Sequence, residues 1–92
     1  MRSWVEKLGK ISKERGTYIY FQDIKIDNFT WSLYEGFDPK YMLTIKEFND
    51  EEHFINQISL KIYQDEYDYL FDIYKTKFKN YEDDLIAQIE NL

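Results

Sequence analysis

Residues 29–48 read FTWSLYEGFDPKYMLTIKEF, and this stretch decides the fold. Phe29, Trp31 and Leu33 alternate with Thr30, Ser32 and Tyr34, and Tyr41, Leu43 and Ile45 alternate with Met42, Thr44 and Lys46. A period of two puts each apolar set on one side of a pleated strand, and the aromatic and β-branched residues in both runs suit that pleat. Gly36-Phe37-Asp38-Pro39 supplies a turn between them, so the stretch predicts an antiparallel hairpin with one apolar face. Upstream, Thr17 to Ile26 contains the alternating Ile24-Lys25-Ile26, and Asp27-Asn28 is a tight-turn pair, which extends the hairpin into a meander. Such a sheet needs helices over its apolar face and leaves water on the other.

Both flanks predict those helices. From Ser3 to Arg15, Trp4, Leu8 and Ile11 fall at i, i+4 and i+7 with Val5 beside them, Lys7, Lys10, Lys13 and Glu14 fill the other side, and Gly16 supplies the stop. At the other end Tyr67, Leu70, Tyr74, Phe78, Tyr81, Leu85, Ile89 and Leu92 are separated by 3, 4, 4, 3, 4, 4 and 3 residues, a long helical stripe. An interruption is expected near Lys79-Asn80, with Glu82 to Asp84 opening a new first turn. The segment before this helix reads two ways. Asn49 followed by Glu52 has capping-box spacing, and Phe54, Ile58 and Ile62 fit a helix, whereas Ile58, Leu60 and Ile62 alternate with Ser59 and Lys61 as a strand would. The reading adopted is a short helix running into a fourth strand. The predicted fold is therefore α+β in a single domain over residues 1–92. It has an N-terminal helix, an antiparallel three- or four-stranded meander and a long C-terminal helical segment packed on one sheet face.

Composition narrows what holds such a domain together. Hydrophobic residues make up 43% of the chain, and nine Tyr, seven Phe and two Trp provide enough large side chains for a core, which excludes disorder. No cysteine is present, so neither a disulfide nor a thiolate zinc site contributes, and stability rests on packing. Ile, Lys, Asn, Tyr and Phe account for 42 of 92 residues against one Ala and one Val, the signature of an AT-rich coding sequence. The abundance of tyrosine therefore is not by itself an interface signature. Arg2, Glu6 and Lys7 interrupt the N-terminus, which reads as neither a signal peptide nor a membrane span, and a cytoplasmic chain is expected.

The same inventory argues against catalysis. The sole imidazole, His53, stands beside Glu51 and Glu52 and reads as a solvated surface residue. No second His completes an i, i+4 metal pair, Asp65 to Asp72 lacks the glycine of a calcium loop, and Gly9, Gly16 and Gly36 are too scattered to cradle a phosphate. No catalytic residue, metal ligand or cofactor is assigned, and a non-enzymatic protein is expected.

Charge carries more. Residues 1–16 hold five bases and two acids, residues 17–50 three bases and six acids, and residues 51–92 four bases and ten acids, for a net charge of −6. On the C-terminal helix Asp65, Asp68 and Asp72 lie at i, i+3 and i+7 and share one line, with Glu66 and Tyr69 beside it. Carboxylates one turn apart, about 5.4 Å along the axis, repeat on a scale comparable with backbone phosphates. The plain alternative is a solvated helix face, since Lys75, Lys77 and Lys79 interrupt the row and offer pairing to Asp72 and Asp83.

From this row comes the functional expectation: a small acidic inhibitor that binds and blocks a basic, nucleic-acid-handling protein, a DNA mimic of the phage or plasmid counter-defence kind. Asp65, Glu66, Asp68, Tyr69 and Asp72 would form its binding face. Tyr63, Tyr67 or Tyr69 would be its aromatic anchors, with Tyr67 also on the core stripe. Two other readings stand beside it. One is an immunity protein that turns the same surface on a toxin. The other is a homodimeric assembly subunit using the outer sheet face, with Tyr34, Met42, Ile19 and Phe21. Direct nucleic-acid binding rests only on Arg2, Lys7, Lys10, Lys13 and Arg15 and is opposed by the net charge, and no membrane association is expected.

Overall fold

The structure is a computed structural model that describes residues 1–15 and 18–92 and, for Tyr18, the backbone. Among the described residues the order is α1 (Ser3–Glu14), β1 (Tyr18–Tyr20), β2 (Asp23–Ile26), β3 (Phe29–Glu35), β4 (Tyr41–Phe48), β5 (Phe54–Lys61) and α2 (Gln64–Glu90). The strands form one antiparallel sheet in the order β1-β2-β3-β4-β5. The predicted helix, meander and helix are all present, and Gly16, the expected stop of the first helix, lies outside the described residues.

The meander has five strands because the first run folds on itself. Phe21 and Gln22 take φ of 49° and 71°, a two-residue hairpin turn with both residues left-handed, and β1 pairs back on β2 with Ile19 opposite Ile24. Neither residue is a usual turn former, so the turn left no mark in the sequence. Ile19, grouped above with the outer face, is by this pairing on the core face and is buried.

Registers across the sheet place Trp31, Ile45 and Ile58 in one row and Leu33, Leu43 and Leu60 in the next, all on the face that carries both helices. Val5 and Leu8 of α1, Leu70 of α2 and Ile62 close over Ile24, Ile26, Trp31 and Leu43 to make the core. Buried Trp31 is satisfied there: its Nε1–H donates to Ser12 Oγ at 2.9 Å, and the Ser12 hydroxyl donates to the Leu8 carbonyl at 2.7 Å. The buried side of α1 is thus Val5, Leu8, Gly9 and Ser12, rotated from the Trp4, Leu8, Ile11 line, so that Trp4 stands at the rim.

Two local expectations are corrected. Asn49 opens no helix. Its Oδ1 accepts from the N–H groups of Glu51 and His53, both at 2.9 Å, and closes a turn from which Phe54–Lys61 enters the sheet as β5. The Asn side chain offers the backbone these bonds as readily in a turn as at a helix start, and the alternation after it decides for the strand. Nor does α2 break at Lys79-Asn80. It runs unbroken for 27 residues, about 40 Å, since one Asn lowers helix propensity by well under 1 kcal/mol.

Candidate protein-binding surface

Helix α2 begins under tight control. Glu66, its third residue, is fully buried and accepts from Arg2 Nε at 2.9 Å and Arg2 Nη2 at 2.7 Å, a bidentate pair across 64 residues of chain. It also accepts from the backbone N–H of Tyr63 at 3.0 Å, the acidic half of a capping box, and from the backbone N–H of Arg2 at 3.3 Å. The Arg2 hydrogen bonds, helped by those backbone donors and opposed by burial, hold the Glu66 carboxyl at a pKa of about 2. Arg2 in turn lies over the rings of Trp4 and Tyr63, at 5.3 and 5.1 Å from their centroids.

The five residues expected to form one acidic face therefore separate. Glu66 leaves that face, because its carboxylate anchors the start of α2 to the start of α1. Tyr69 leaves it too: its ring lies on Gly9, where any Cβ would collide with it, Lys13 Nζ stands 5.2 Å from its centroid, and its hydroxyl donates to the Glu6 carbonyl at 3.3 Å. Tyr69 is a packing residue between the helices. Asp65 is exposed but faces the N-terminal ammonium at 3.3 Å. Asp68 and Asp72 remain exposed, and neither carboxylate has an ion-pair partner among the described residues. One turn on, Thr76 donates to the Asp72 carbonyl and Lys79 pairs with Asp83 at 3.4 Å, so the outward ridge continues with mixed charge.

The anchor tyrosines divide as well. Tyr67 is half-buried, 4.6 Å from the Tyr41 ring and stacked on Phe71 at 5.4 Å, with burial first and Glu35 second raising its phenol pKa. Tyr63 is exposed at the N-cap of α2.

What the sequence reading did not single out is the far end of α2. Every residue from Lys79 onward is exposed. Phe78 and Tyr81 still lie by the β1–β2 turn, but Leu85, Ile86, Ile89 and Leu92 have no core beneath them, with Ile86 52% and Ile89 67% exposed. Residues 82–92 also carry Glu82, Asp83, Asp84 and Glu90 and no base. The signal was available in the stripe itself: its eight positions extend farther than the sheet beneath them.

Elsewhere His53 is a surface residue, its Nδ1 3.7 Å from Glu51. Among the described residues no group of three His or acidic side chains is placed to hold a metal ion, and no helix is long and apolar enough to cross a membrane. No family model, curated protein or solved structure matches the chain.

Proposed function

We propose that this protein acts by binding a basic protein, and that it blocks there a surface used for nucleic acid. The observation that carries the reading is the outward ridge of α2, where Asp68 and Asp72 are exposed and, among the described residues, pair with no cation. Unpaired carboxylates on a rigid helix act at long range: they speed encounter with a positive surface and oppose encounter with phosphate. Tyr63 adds an exposed ring at the same end of the helix. The proposed face is smaller than the sequence row, since Glu66 and Tyr69 serve the fold and Asp65 is partly neutralised.

The test is affinity capture from lysate at low and high salt, with wild type and D68K/D72K side by side. A captured protein that is basic, elutes with salt, is displaced by duplex DNA and is lost with D68K/D72K supports the reading. Capture that D68K/D72K leaves unchanged, or a partner indifferent to DNA, overturns it.

A further inference from the structure

The exposed end of α2 and a second feature of the fold fit one another. On the helix-bearing face, Trp4, Lys7, Leu8 and Ile11 of α1 face Phe29 and Ile45 of the sheet across a shallow cleft of about 330 Å³. Ile58, opposite Ile45 in the next strand and exposed, continues the apolar floor toward the β5 edge. Phe29 and Ile45 are only partly buried at this cleft.

We infer that residues 82–92 of a second copy of this chain occupy that cleft, and that the exchange is reciprocal. The arm cannot fill the cleft of its own copy. Arg2 meets Glu66 and the Lys13 carbonyl meets Lys77, so α1 and α2 run side by side in the same direction, and the unbroken helix carries residues 82–92 past the end of α1. The charges match between copies. The arm has four acids and no base, with Glu82 and Asp84 flanking the Leu85 side, while Lys7 lines the cleft and Lys10 is exposed one turn on; Lys13 and Arg15 are turned elsewhere, to Tyr69 and Asp27. Leu85 and Ile89, at i and i+4, are spaced to enter a groove as a helical ridge. Each copy supplies one arm and one cleft, so a two-fold axis uses both and leaves no open site for chain growth.

The arrangement is independent of the function proposed above, because Asp68 and Asp72 lie on the side of α2 opposite the stripe and stay in solvent. Equilibrium sedimentation tests it on the full chain up to about 100 μM, which detects micromolar association. Wild type should have the mass of two chains, and L85D/I89D, exposed positions that leave the core intact, the mass of one. K7E/K10E alone and E82K/D84K alone should each weaken the dimer at least about tenfold. Mixed together they should restore it, because each acidic arm then meets a basic cleft and each basic arm an acidic one.

A monomeric wild type overturns the inference, as does a dimer that L85D/I89D leaves intact. Sensitivity to L85D/I89D with indifference to K7E/K10E would mean that two arms pair with each other, and either that result or a mixture that fails to associate removes the cleft as the docking site. D68K/D72K should remain dimeric, which separates failure here from failure of the proposed function.

Discussion

The two halves of α2 carry the same pattern and have opposite fates. In the first, Tyr67, Leu70, Tyr74 and Phe78 pack into or against the core, and Leu70 is wholly buried. In the second, Leu85, Ile89 and Leu92 continue the same spacing and lie in the open. The difference is in what lies beneath them. The first half passes over the sheet and beside α1, where Gly9 admits the Tyr69 ring, and the second has left both behind. A periodic stripe shows which side of a helix is apolar, and the length of its neighbours decides how much of that side becomes core.

The largest expected break in this comparison is Leu70→Ala. Removing a fully buried leucine side chain from the core it shares with α1 and sheet residues should lower unfolding free energy by about 3 kcal/mol, read by urea denaturation. A loss under about 1 kcal/mol would mean that this half is no better packed than the arm.

Next comes the anchor that starts the packed half. Glu66→Ala leaves Arg2 without its carboxylate and the Tyr63 N–H without its cap, for an expected loss of about 2–3 kcal/mol near neutral pH. Its pH dependence follows from the lowered pKa. The folded carboxyl ionises at about 2 and the reference group at 4.5, so its contribution is complete above 4.5 and disappears as pH falls from 4.5 toward 2. Denaturation of wild type and Glu66→Gln across that range should show the two curves converging as pH drops. Curves that stay parallel would mean that the Arg2 pair adds nothing specific to the ionised form. Asp68→Asn, two residues on and in solvent, should change stability by less than about 0.5 kcal/mol.

How much of this could be read from the chain follows physical range. The hairpin of residues 29–48 and the terminal helix were legible because each is written in a local period and marked by local turn residues. The split between β1 and β2 was not, because Phe21 and Gln22 adopt left-handed backbone without the Gly or Asn that announces it. The Asn49 turn was misread because a capping residue and a turn residue use the same side-chain acceptor. In the candidate surface, Asp68 and Asp72 were legible as an outward line, but Glu66 was not separable from them. What removes it is Arg2, 64 residues away in sequence, and only the fold brings the two together. Tyr69 had a fainter mark. Gly9 sits within a helix that should prefer a larger residue, and an unexplained glycine on a helix face signals the close approach of something bulky.

The smallest expected effect sharpens the comparison most. Leu85→Ala, in dilute solution where each particle is one chain, should change unfolding free energy by less than about 0.5 kcal/mol. The side chain has no core to leave, and alanine is the slightly better helix former. Set beside Leu70→Ala, the same chemical change at two turns of one helix then differs severalfold, and the ratio measures how much of the stripe the monomer uses. Raising the concentration supplies the second arm of the test. If residues 82–92 seat in the α1 cleft of another copy, Leu85→Ala should lose stability relative to wild type only where wild type is dimeric, by mass action. A penalty independent of concentration would place Leu85 in the monomer's own core.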